Sequence, residues 1–138
     1  MKWRVTSEKE TAAVAAKFAP LLKKGDVVLL NGTLGVGKTT FVRALVRHLL
    51  KFEAEVPSPT FTLLQTYDTP KFTIYHFDFY RLKSPEEAYE IGIEDAFVDG
   101  VSLIEWPDKI APLLPKMHKS LSFQLLEDGS REITAEGF

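Results

Sequence analysis

The sequence predicts an α/β fold of three layers, with a mixed sheet whose central strands are parallel and whose marginal strands are antiparallel. Three observations carry this. Residues 27–30 form a short apolar run with β-branched members, the pattern of a strand buried on both faces. A glycine-rich stretch follows at once and opens into a segment in which Phe41, Leu45 and Leu49 recur every four residues, with Val42 and Val46 beside them, as on one face of a helix. Alternating segments at 61–67 with 72–79, and at 121–125 with 131–135, read as hairpins beside that core.

The glycine-rich stretch is Gly32-Thr33-Leu34-Gly35-Val36-Gly37-Lys38-Thr39, which fits G-x-x-x-x-G-K-[ST] at every fixed position. Lying between a buried strand and a helix, it has the context that a phosphate-binding loop requires. Three glycines let the loop wrap closely, so that the N–H groups of residues such as Leu34, Gly35, Val36 and Gly37 point at phosphate oxygens. The helix N-terminus behind it favours an anion. Lys38 is expected to reach the β- and γ-phosphates and the Thr39 hydroxyl to ligate magnesium. The fold class is therefore that of P-loop NTPases.

In chain order, Ser7-Glu8-Lys9-Glu10 is a capping box. It starts a helix expected to run to about Lys24, burying Val14, Phe18 and Leu22, with Gly25 closing it. The loop helix carries Arg43, Arg47 and Lys51 on one face. That is a solvated stripe suited to the helix dipole, or a surface for a partner or RNA. Val56-Pro57-Ser58-Pro59-Thr60 is a constrained extended loop leading into the first hairpin, whose turn is Asp68-Thr69-Pro70-Lys71. A second capping box, Ser84-Pro85-Glu86-Glu87, begins a short helix ending near Gly92, and another covers residues 93–98. Residues 101–104 form a buried-type strand ending in Glu105-Trp106-Pro107. The proline-bearing segment to Lys119 is expected to be irregular.

A phosphate loop needs a carboxylate at the end of a neighbouring strand to hold magnesium. Asp78 and Glu105 both qualify, and the more uniformly apolar strand before Glu105 favours it. Thr60 or Thr62 can order over a γ-phosphate, or simply start a strand. His76 alone on its strand reads as a packed or hydrogen-bonded histidine, and no second histidine stands at zinc spacing.

At 138 residues with 45% hydrophobic content, the expectation is a single domain, 1–138. With no cysteine, disulfides and thiolate zinc sites are excluded. No signal peptide or membrane-length apolar run is visible, so a cytoplasmic protein is expected. A net charge of −2 disfavours tight direct binding of RNA or DNA.

Four blocks together resemble the TsaE (YjeE) family: the loop from Gly32 to Thr40, Ser58-Pro59-Thr60-Phe61-Thr62-Leu63, Tyr75-His76-Phe77-Asp78-Phe79-Tyr80-Arg81-Leu82, and Ile104-Glu105-Trp106. Only Thr33 departs from the family's usual acidic residue at that variable loop position. The resemblance implies a small magnesium-dependent ATPase of bacterial N6-threonylcarbamoyladenosine synthesis on transfer RNA. Such a protein enables turnover of a TsaB–TsaD heterodimer and meets transfer RNA only through that complex. It implies Thr39 and Glu105 as magnesium ligands, Lys38, Asp78 and Thr60 as catalytic residues, and Thr40 with the loop on ATP. Glu8 and Ser130 are implied near the adenine. Two rivals remain at this stage, a small-molecule kinase and a non-catalytic nucleotide-dependent scaffold. No guanine-type Asn-Lys-x-Asp signature supports a GTP switch.

Overall fold

The computed structural model describes residues 1–33, 36–51, 55–60 and 62–138. Seven strands, β1 (Lys2–Val5), β2 (Val27–Asn31), β3 (Leu64–Asp68), β4 (Thr73–Asp78), β5 (Gly100–Glu105), β6 (Lys119–Leu125) and β7 (Arg131–Glu136), form one sheet in the order β1-β7-β6-β2-β5-β4-β3. The central strands β6, β2, β5 and β4 are mutually parallel, and β3, β7 and β1 join antiparallel at the margins. That is the mixed sheet the sequence predicts.

Alternation along the strands sorts the core onto two faces. Val28 and Leu30 of β2 pack with α1 (Glu8–Phe18) and α2 (Lys38–Leu50), through Phe18, Phe41, Leu45 and Val46. Val27 and Leu29 pack on the other face with Phe77, Ile104 and the short helices α3 (Glu87–Glu90) and α4 (Ile93–Asp99). Strand β5 is buried along its whole length, as a central parallel strand covered on both faces must be. An aromatic row, Phe18 to Phe41 to Phe123, ties α1 and α2 to β6 with centroids 6.0 and 5.5 Å apart.

Several expectations need correction. The first helix ends at Phe18 and passes into a 3-10 turn over Ala19–Leu21 rather than running to Lys24, because Pro20 has no N–H to continue the α-helical ladder. Gly25 does take the left-handed φ of +96° expected after the helix, and its N–H donates to the Gly100 carbonyl at 2.7 Å. The hairpin strand starts at Leu64, so Thr62 and Leu63 of the expected strand lie outside it. Leu63 has φ +67° and its N–H closes a turn onto Pro59 O, so Thr62 precedes the strand. The segment after Trp106 is a kinked 3-10 stretch over Pro107–Leu113. Strand β1 has no counterpart in the sequence reading; its partner β7 lies at the other end of the chain. Ser7 caps α1 as expected, accepting from the Glu10 N–H. At α3 the Glu87 carboxylate reaches back to the N–H groups of Lys83 and Ser84.

Candidate functional site

The parallel strands end their carboxyl termini in one row. Register places Leu30 of β2 beside Glu105 of β5, and Glu105 beside Asp78 of β4. This is the edge of an open parallel sheet where ligands bind. Val36 and Gly37, in the loop between β2 and α2, share this edge with Asp78 and Glu105. Gly32 (φ +144°) admits no side chain: a Cβ there would lie 2.7 Å from the Phe123 carbonyl and 2.9 Å from Val36. Gly37, at φ +98°, precedes the first residue of α2 in the left-handed region, which glycine adopts without penalty. Leu34 and Gly35, expected to donate N–H groups to phosphate, lie outside the described residues, as does Phe61.

A cavity of about 280 Å³ opens between this loop and the strand ends. Val36, Gly37, Lys38, Thr39 and Thr40 form its floor, and Thr60, Asp78 and Glu105 one wall. The opposite wall is Glu8 and Thr11 of α1 with Val5, Phe123, Arg131 and Ile133. The structure thus gathers nearly every described residue that the sequence singled out. Gly32, Thr62 and Ser130 do not line the cavity: the Gly32 carbonyl accepts from Lys38, Thr62 accepts from Gln65, and the Ser130 hydroxyl donates to Asp128 and accepts from Arg4 while its neighbour Arg131 faces the cavity. Arg81 sits on the exposed side past β4 and does not line the cavity.

The two acids are held differently. Both Asp78 oxygens accept hydrogen bonds, Oδ1 from the Tyr80 N–H at 2.9 Å and Oδ2 from the Thr60 hydroxyl at 3.0 Å. Ser58 Oγ lies 2.8 Å from that same Thr60 hydroxyl, so Asp78 anchors the loop over residues 58–60. Glu105 bonds His76 through Oε2 at 2.7 Å, while Oε1 lies 4.0 Å from Lys38 Nζ. Lys38 is buried; its ammonium donates to Gly32 O at 2.7 Å and sits 4.7 Å from the centre of the Trp106 ring. Burial lowers its pKa from 10.5, against the attraction of Glu105, Asp78 and Asp108. Trp106 has φ +57° and stacks obliquely on Tyr80, 4.9 Å away.

The sequence reading missed His76 and Trp106 as members of this cluster. A signal existed for each: His76 precedes Asp78 by two residues, which puts both on one face of β4, and Trp106 directly follows Glu105. A second groove, about 600 Å³, runs along α2 past Arg43, Arg47, His48 and Lys51 and meets the first at Glu8 and Thr40.

These features agree with what the chain resembles in sequence and in fold. The family described as "Threonylcarbamoyl adenosine biosynthesis protein TsaE" matches residues 5–133. A protein of Rickettsia bellii named "tRNA threonylcarbamoyladenosine biosynthesis protein TsaE" is 50% identical over 127 residues, covering 92% of this chain and 88% of that one. The Bacillus subtilis protein of the same name is 37% identical over 135 residues, 97% of this chain and 84% of its own. These relatives carry the name of a tRNA-modification protein rather than that of a kinase. The crystal structure of YdiB from Bacillus subtilis superposes with a TM-score of 0.82 at 34% identity, over 98% of this chain and 83% of the other. With the phosphate loop, the paired acids at the strand ends and the match across most of its length, this chain belongs to the TsaE family.

Proposed function

We propose that this protein is the ATP-binding and hydrolysing component of the bacterial machinery that makes N6-threonylcarbamoyladenosine on transfer RNA, working in the cytoplasm with a TsaB–TsaD heterodimer. One observation carries the ATPase reading: a buried lysine, a loop threonine and two strand-end carboxylates face one cavity beneath a glycine-rich loop. The family's name supplies the pathway.

The residues divide the work. Lys38 lines the cavity and donates to Gly32 O, a bond that phosphate oxygens would replace. The donor set suits magnesium. Thr39 and Glu105 offer hard oxygens, and among the described residues no cluster of three His, Cys, Asp or Glu forms a protein-only cage. Magnesium characteristically takes one or two protein ligands and draws the rest from phosphate and water. When bound it neutralises charge developing on the phosphates. Glu105 has an oxygen turned toward Lys38, whereas both Asp78 oxygens are engaged. Glu105 is therefore assigned to the metal, and Asp78 to holding Thr60 and the loop beside the transferring group. Val5, Glu8 and Thr11 bound the far side of the cavity, where the base would lie.

A supplied arginine contributes about 10³–10⁵-fold to phosphoryl transfer in related chemistry. Slow hydrolysis by this chain alone, stimulated by TsaB–TsaD, is the expected behaviour. The experiment is steady-state phosphate release by this protein alone, then with increasing TsaB–TsaD, with and without transfer RNA. A full rate alone that no partner changes would refute the proposal.

A further inference from the structure

His76 and Glu105 are both buried, and the 2.7 Å bond joins Nε2 to one particular oxygen, Oε2. A carboxylate oxygen serves here as acceptor and the imidazole donates to it from Nε2. The sheet fixes this pairing. His76 sits opposite Leu103 and Asp78 opposite Glu105, so His76 and Glu105 are diagonal neighbours on one face of two adjacent strands. Among the described residues, Nδ1 of His76 has no hydrogen-bond partner. The bond to Glu105 is then the ring's whole described polar contact in a site without exposure, and giving it up would strand a buried donor.

We infer that His76 is a positioning residue: by tying up Oε2 it restricts Glu105 to one metal-facing oxygen and so selects magnesium over calcium. The inference rests on the assignment of Glu105 to the metal made above. Magnesium takes six ligands in near-octahedral geometry and binds a carboxylate through a single oxygen, whereas calcium accepts six to eight ligands and readily takes both oxygens of one carboxylate. A free Glu105 could offer both oxygens. A Glu105 held by a buried imidazole offers Oε1, the atom that lies nearer Lys38. Hydrogen bonds that orient a metal-binding group typically matter about 10–100-fold in metal affinity.

The test is calorimetric titration of the full chain with ADP in magnesium and in calcium, for wild type, His76→Leu, His76→Gln and Glu105→Ala. Wild type should bind ADP more tightly with magnesium. His76→Leu should lower the magnesium-to-calcium affinity ratio by about tenfold or more. His76→Gln, whose amide can donate to the same oxygen, should restore much of it. If Glu105→Ala leaves the metal dependence untouched, the assignment of Glu105 fails and this inference with it. If Glu105→Ala abolishes it while His76→Leu keeps the wild-type ratio, the inference alone is overturned. Wild type without a magnesium preference overturns it as well. Should His76→Leu not fold, the imidazole nitrogen spectrum of wild type decides. The Nε2–H tautomer, unchanged by magnesium and ADP, is expected, and an Nδ1–H tautomer overturns the inference.

Discussion

Lys38 is buried at the head of α2, and burial lowers its pKa from 10.5 although Glu105, Asp78 and Asp108 pull the other way. A lysine so shifted binds its proton less tightly folded than unfolded. Its charge therefore opposes folding at neutral pH, and that opposition fades as pH rises from the folded pKa to 10.5. Lys38→Met is accordingly expected to raise the melting temperature at pH 7 while abolishing ATP binding, and its advantage over wild type should shrink toward pH 10.5. Thermal melts at the two pH values, with calorimetry for binding, check both halves. The two acids separate by the same reasoning. Glu105→Ala should weaken the magnesium dependence of nucleotide binding. Asp78→Ala should spare binding and lower hydrolysis at least tenfold, since it frees Thr60 and the loop at 58–60 rather than a metal ligand. A magnesium titration that gave the two variants each other's behaviour would reverse the roles.

At the scale of elements, β5 illustrates how close the packing is. Gly100 opens it with an ordinary extended φ, so its backbone conformation does not demand glycine; space does. A Cβ there would fall 2.2 Å from the Thr73 carbonyl and 2.8 Å from the Tyr75 ring. Gly100→Ala must push β4 from β5 and should cost roughly 1–3 kcal/mol, read as a shifted urea midpoint with unchanged slope. Elements with strong local signals were legible before any coordinates. The strand-loop-helix unit at β2 and α2 announced itself by glycine spacing and a four-residue apolar period, and β5 by its unbroken apolar run. What stayed hidden depends on residues far apart in sequence. β1 is four residues with one buried side chain, and nothing local distinguishes it until β7 lies alongside. His76 looked like an ordinary strand histidine because its partner, Glu105, is 29 residues away.

For the whole molecule, the cavity is shared property. Val5 comes from β1, Thr11 from α1, Lys38 from α2, Glu105 from β5, and Arg131 and Ile133 from β7. A nucleotide seated there would lie against Val5 at the β1 margin as well as against the loop, so binding should slow amide exchange in β1, an edge strand remote from the phosphate loop in sequence. Hydrogen exchange with and without ATP and magnesium measures this; protection confined to residues 36–40 would contradict it.

The pairing of β1 with β7 joins Lys2 to Thr134 and Val5 to Arg131, and the backbone closes further with Ala135 N–H to Met1 O at 2.8 Å. Contacts of that sequence separation are costly to form early, because nearly the entire chain must be gathered to close them. On a ribosome, then, residues 27–50 can emerge and take up strand, loop and helix long before the far wall exists. The pocket beside the glycine loop is completed only when β7, which follows that unit by about eighty residues, docks between β6 and β1. The phosphate-binding sequence can thus fold locally without the enclosed site, which forms only once β7 has joined the sheet.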